Sequence, residues 1–420
     1  MGKNSARPAG LHSRIGVTSV AAGALLVLAA CGSGGTATEA SSAPAESSAA
    51  PAASSSAPAP SASAAASEAG TSFEQISQFL LSETGSYSSP PTTAPAPEAG
   101  KNLWLISCGQ AYTSCSIPIG AAEEAAQSIG WSTKIFDDQG DPTTVTTGIR
   151  QAIADKADAI FMYYIDCVYA AEALSEAREA GIKVAAAESA DCSDLDPNAE
   201  SLFDYSVTYS GGLDGPVAGG ESPYSEQIRL WGQAQGNLGV VKAGGKVNAL
   251  VFTDNYGFGG KRAAEGMNEV LASCEGCTSQ IIEFPYEDLA NGNLATTVSQ
   301  ALLKNPEANV VAAAYDAIAV YGLAQAAADA GRELVVIGGE GSAEGMDLVR
   351  AGQITLGAGL PLGWEGYAAV DALNRILQGE APVPTGMGLQ LFDADNNVPA
   401  SGAYAPPFDY KAIYKQAWGV

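Results

Sequence analysis

From Lys101 onward the chain alternates short apolar runs with longer amphipathic ones, and this alternation limits the possible folds most severely. "NLWLIS" reads as a strand, "PIGAAEEAAQSIGW" as a helix and "STKIFDD" as a strand. "DPTTVTTGIRQAIADKA" reads as a helix with Asp141 as N-cap and Pro142 at its first position. "DAIFMYYI", "DCVYAAEALSEAREAG" and "IKVAAAES" continue as strand, helix and strand. Strands linked by helices build a parallel sheet covered on both faces. The pattern breaks at "YSVTYSGGLDGPVAGGESPYSEQ" and resumes with "SEQIRLWGQAQG", "KVNALVFT" and "FGGKRAAEGMNEVLASC". It runs on to "ITLGAGL", followed by the amphipathic "WEGYAAVDALNRILQG" and a small terminal helix in "DYKAIYKQAWGV". The fold class expected is α/β, as two doubly wound parallel-sheet lobes.

The N-terminus reads differently. Lys3, Arg7 and Arg14 precede an uncharged stretch from Ile15 to Ala30, the build of an export signal and too short for a spanning helix of about 20 residues. Leu28-Ala29-Ala30-Cys31 resembles the lipobox of bacterial lipoproteins, in which the cysteine becomes the lipid-bearing N-terminus. The alternative is a secreted protein cleaved near Ala30. Residues 1–30 are expected to leave as a signal peptide, with Cys31 anchoring the rest to the outer face of the cell membrane. The single histidine, His12, leaves with them, which excludes nucleophile–histidine catalysis and imidazole-ligated metals. With the three basic residues gone, 17 of 20 lysines and arginines face 46 acidic residues, a net charge of −29 that repels nucleic acid.

Residues 31–100 are expected to be the lipidated cysteine and a disordered Ala/Ser/Pro linker. Residues 73–84 interrupt it with a short helix, Phe73, Ile76 and Leu80 sharing one face. Apart from Cys31 there are six cysteines, an even number in an exported chain. Fifteen pairings are possible, and spacing favours Cys108 with Cys115, Cys274 with Cys277, and the remaining Cys167 with Cys192.

Several segments match one family in order. "GAAEEAAQSIGW" before "FDDQGDP", "AREAGIKVAAAES", "VAAAYDAIAVYGLAQAAADAG" and "LVVIGGEG" resemble the type I periplasmic binding proteins, the ribose- and galactose-binding group that feeds ABC importers. The resemblance covers about 101–384. It implies two lobes joined by three crossings, near Tyr209–Gly212, Leu360–Pro361 and Val383–Thr385, with a ligand cleft between them. Lobe 1 would be 101–210 and 361–384, and lobe 2 would be 211–360 and 385–420. The implied protein is an extracytoplasmic, membrane-anchored monomer. It hands a small molecule, a sugar or polyol, to an ABC permease by cleft closure, with no enzymatic activity and no cofactor. The alternatives are a sensor of the same fold that signals to a membrane kinase, and a binder of an amine or aromatic solute.

Candidate ligand contacts stand at the strand ends. In lobe 1 they are Gln110, Tyr112, Asp166, Glu188 and Ser189. In lobe 2 they are Asp254, Tyr256, Lys261, Tyr286, Tyr315, Asp316 and Glu340, with Trp364 just past the second crossing. Carboxylates accept hydrogen bonds from hydroxyls, and aromatic faces cover the C–H face of a sugar ring. Asp316 also reads as a helix cap, Lys261 as a solvated charge and Trp364 as core. Where the sugar binders place Asp-Arg this chain has Glu188-Ser189, and where they place Asn it has Tyr315.

Other motifs fail on their residues. "KAGGKV" lacks the first glycine and the hydroxyl of a nucleotide loop, and "GFGGKR" lacks the last glycine of a dinucleotide loop. "DADNNV" begins like a calcium loop without the glycine at its sixth position or the glutamate at its twelfth. Glu188 and Glu340 as a glycosidase pair would need substrate-binding signatures that the sequence does not show.

Overall fold

A computed structural model describes residues 72–196, 198–209 and 224–420. The export signal, Cys31, the leash and the first crossing beyond Tyr209 lie outside the described residues. Among the described residues, no helix is long and apolar enough to cross a membrane.

The first sheet holds β1 (Asn102–Ser107), β2 (Ser132–Asp137), β3 (Ala159–Tyr163), β4 (Lys183–Ala187) and β5 (Tyr205–Ser206). They lie in the order β2-β1-β3-β4-β5, every pair parallel. The second holds β6 (Asn248–Asp254), β7 (Thr278–Phe284), β8 (Val310–Ala313), β9 (Val335–Ile337), β10 (Leu356–Ala358) and β11 (Leu391–Asp393). Its order is β11-β10-β9-β8-β6-β7, with only β11 antiparallel. Strand β3 and strand β8 are buried throughout, as strands covered on both faces must be. In each lobe the strand order reverses beside the first strand, which opens a crevice at the C-terminal strand ends.

Each lobe packs two helices closely over its sheet, and glycine permits the approach. In lobe 1 a methyl group at Gly366 would overlap the Pro118 carbonyl, where helix Leu362–Leu377 crosses helix Thr113–Ser128. In lobe 2 Gly232 and Gly266 do the same for helices Tyr224–Lys242 and Phe258–Leu271. Helix Thr113–Ser128 starts earlier than its sequence pattern suggests, with Pro118 inside it.

Two segments depart from the sequence reading. The stretch after helix 72–80 is docked, not linker. Leu80 is fully buried, Ser86 N–H donates to Leu389 O at 2.8 Å, and Gln390 Nε2 donates to Ser82 O at 2.9 Å, all on the lobe 2 side. Farther along, Arg375 donates to Thr93 O at 2.5 Å, Asn374 to Pro95 O at 3.0 Å and Trp131 Nε1 to Glu98 O at 2.8 Å, all in lobe 1. The segment therefore straps both lobes. The end of the chain also departs from its assignment to lobe 2. Helix Tyr410–Trp418 lies on lobe 1, because its apolar face of Tyr414 and Trp418 is buried against Tyr367. Lys411 and Lys415 both reach Glu124 there, at 2.5 and 2.9 Å.

Candidate functional site

The crevices of the two lobes face each other and enclose a cleft of about 380 Å³, within the range usual for small-molecule sites. Its walls come from strand ends of both lobes. Tyr163, Tyr164 and Glu188 stand at the ends of β3 and β4, and Tyr315 and Glu340 after β8 and β9. Tyr112, Tyr286 and Tyr321 stand near the rim, with Leu360 on the second crossing. Tyr164 and Glu188 have φ of 55° and 49°, a left-handed backbone that costs about 1–3 kcal/mol for such residues and persists where surroundings impose it. Helix Asp316–Ile318 runs into a wide π turn over Ala319–Leu323, which carries Val320 and Tyr321 to the cleft.

Glu188, on the cleft wall, joins a buried acidic network behind it. Buried Tyr209, at the first crossing, reaches Glu188 Oε1 at 3.0 Å and Glu365 Oε1 at 2.9 Å with its hydroxyl. Glu365 is buried at the start of helix Leu362–Leu377, with the side chains of Glu188, Tyr209 and Tyr163 around its carboxyl. Burial pushes its carboxyl up to about 7. Burial and then the charge of Glu365 raise Glu188 well above the ordinary carboxylate range. Burial, then Asp316, then Glu188 across the cleft raise Glu340 in the same direction. Each carboxylate charge of the Glu188–Glu365 pair disfavours the other, so the two titrate together.

Other expected contacts bond within the frame of the cleft, and of these Asp316 also lines it. Asp316 Oδ1 accepts from Glu340 N–H at 2.7 Å and Gly341 N–H at 3.2 Å, and Oδ2 accepts from Ser342 N–H. Its side chain makes no helix cap; it holds the loop that presents Glu340. Asp254 accepts from Tyr256 N–H at 2.7 Å and from the Tyr315 hydroxyl at 2.5 Å, which aims Tyr315. Ser189 accepts from Ile165 N–H and donates to Ala187 O, both at 2.9 Å. Gln110 bonds Ser107 at 2.6 Å and does not line the cleft, nor does Lys261. Trp364 is fully buried on the far side, stacked on Tyr410 at 5.6 Å and packed near Tyr87 and Phe408, so it is core. Asp166 and Tyr256 bridge the lobes. Asp166 Oδ2 accepts from Phe258 N–H at 3.3 Å, and Tyr256 stacks on Tyr169 at 5.4 Å with Tyr286 behind it at 5.1 Å. These contacts join the two lobes directly.

Tyr163, Tyr164, Tyr209 and Glu365 escaped the sequence reading. The "YY" ending "DAIFMYYI" was a usable signal at a strand end, whereas nothing local pairs Tyr209 with Glu365, 156 residues away. The three disulfides are Cys108–Cys115, Cys167–Cys192 and Cys274–Cys277. The first holds the loop that carries Tyr112. Among the described residues, one group gathers metal-ligating atoms, Cys167, Asp191 and Cys192, and its sulfurs are already bonded to each other. A shallower recess of about 250 Å³ lies at the opposite strand ends of lobe 2, where Thr278 and Asn248 already satisfy each other at 2.8 Å.

Two α/β lobes with a cleft at both switch points match one family, whose domain model covers residues 116–381. The chain belongs to the periplasmic binding protein domain family. Its members of this type I fold bind solutes and do not transform them. No curated protein matches the chain in sequence. Solved structures share the fold. A sugar ABC transporter subunit from Rhodobacter sphaeroides is 22% identical over 71% of this chain and 99% of its own, with a TM-score of 0.58. A solute-binding protein from Mycobacterium smegmatis with bound glycerol is 21% identical over 73% and 100%, TM-score 0.59. Another, from Agrobacterium vitis bound to α-D-tagatopyranose, is 20% identical over 73% and 99%, TM-score 0.59. As a periplasmic binding protein, this chain acts outside the cytoplasm, with a small-molecule ligand and an ABC permease as partners.

Proposed function

We propose that the protein is a lipid-anchored receptor that captures a small hydroxylated solute, a sugar or polyol, and presents it to an ABC permease in the closed form. The carrying observation is the cleft itself, walled by Glu188 and Tyr163 from one lobe and Glu340 and Tyr315 from the other. Carboxylates accept from hydroxyls and tyrosine rings cover C–H faces, so a solute touching both walls selects closure. The neighbours with bound glycerol and tagatopyranose support this solute class. Cys31 would supply the anchor, and the Ala/Ser/Pro leash before residue 72 would give the receptor about 35 Å of reach if flexible. Candidate contacts are Tyr112, Glu188, Tyr286, Tyr315 and Glu340, together with Tyr163 and Tyr164.

A thermal-shift screen of sugars and polyols on the full chain in detergent tests this. A solute at about 100 times its Kd adds about 2.7 kcal/mol of stability. Glu188→Ala and Glu340→Ala should each abolish that shift while the unliganded protein still unfolds cooperatively. A shift retained in both variants contradicts the placement of the site.

A further inference from the structure

We propose that the solute held in this cleft carries a positively charged nitrogen, a protonated amine on a hydroxylated body of sugar size. The proposal rests on the receptor reading above and narrows its ligand. Glu188 projects from lobe 1 and Glu340 from lobe 2, so closure brings acids on opposite walls toward each other. Among the described residues, no lysine, arginine or histidine lines the cleft. The charges acting on Glu188, Glu340 and Glu365 are all acidic. Residues 210–223 add no cation, since "SGGLDGPVAGGESP" contains none. Ser189, beside Glu188, is engaged by its own backbone neighbours.

Two buried acids elsewhere meet a cation, Asp371 with Arg375 at 2.8 Å and Asp393 with Lys242 at 2.7 Å. Glu124 meets Lys411 and Lys415, and Asp155 meets Lys134 at 2.7 Å. Glu188 and Glu365 meet no cation among the described residues, and a buried carboxylate charge is unfavourable unless a ligand offsets it or a proton removes it. With a neutral solute Glu188 and Glu340 have no positive charge between them, a setting that favours their protonated forms. An ammonium offers three donors and a charge, turning the facing acids into a bridge between lobes. The walls suit it too, since the faces of Tyr163, Tyr164, Tyr286 and Tyr315 attract cations through the ring quadrupole.

The experiment is calorimetric titration of the full chain in detergent with matched pairs that differ in charge. These are glucosamine and glucose, galactosamine and galactose, and mannosamine and mannose. In at least one pair the charged member should bind about tenfold tighter or better. Glu188→Gln and Glu340→Gln, close in shape to the native side chains, should each erase that preference. If a neutral member binds as tightly as its charged partner in every pair that binds, the charge proposal falls and the receptor reading stands. If no member of any pair binds, both fall for these solutes. Should either variant fail to fold, the comparison within pairs on the native chain decides alone.

Discussion

Glu365 shows how one buried carboxyl shapes stability. Its pKa lies at about 7 in the folded protein and near 4.5 in the unfolded chain. Below about pH 4.5 both states hold the proton, and the residue costs nothing. As pH rises through 4.5 toward 7 the unfolded chain sheds a proton that the folded state keeps, so stability falls, by about 3 kcal/mol in full. Glu188 and Glu340 act in the same direction, and Asp138, raised by burial to about 6, adds to it. Glu124 and Asp155 are lowered to about 2, so their stabilisation is lost only as pH falls below the ordinary carboxylate range. Urea midpoints of the unliganded protein should therefore be higher at pH 5 than at pH 8. Glu365→Gln should raise the midpoint at pH 8 and flatten the slope; an unchanged slope would mean that Glu365 ionises freely. A saturating ligand that neutralises this acidic network should flatten the slope in the native protein as well.

At the scale of elements, the strap and the helix crossings carry separate predictions. Gly366→Ala must push apart helices Thr113–Ser128 and Leu362–Leu377, and should cost about 1–3 kcal/mol by chemical denaturation. The strap is held mainly through its carbonyls, by Arg375, Asn374 and Trp131, and by Leu80 in the core. Leu80→Asp should release it, with protease cleavage appearing between residues 82 and 98 while both lobes stay intact. Protection equal to that of the native chain would show that the carbonyl contacts suffice alone. Composition hid this element, because Pro and Ser read as linker while a backbone acceptor leaves no trace in the sequence. The alternation of strands and helices was plain, because periodicity is local.

For the whole molecule, closure is the motion the proposed function requires, and few contacts join the lobes directly. Asp166 meets Phe258 N–H, and Tyr169 stacks on Tyr256. Ligand should reduce the radius of gyration measured by small-angle scattering. Tyr256→Ala should weaken apparent affinity about two- to tenfold by lowering the closed population, an aromatic pair being worth about 0.5–1.5 kcal/mol. Equal affinity in the variant would place the stack outside the closing step.

The amino-acid sequence alone determined the α/β repeat, the resemblance to a two-lobed binding protein, the strand ends that face the cleft and the acidity of those ends. Each is carried by local periodicity or by residue type, so neighbours along the chain suffice to read it. Only the tertiary structure decided that Trp364 faces the core, that Asp316 and Asp254 aim other side chains, and that the closing helix returns to lobe 1. It alone joined Glu188, Tyr209 and Glu365 into one buried network. Which way a side chain points, and which distant acid it meets, depends on packing between segments more than a hundred residues apart, and no local pattern encodes that.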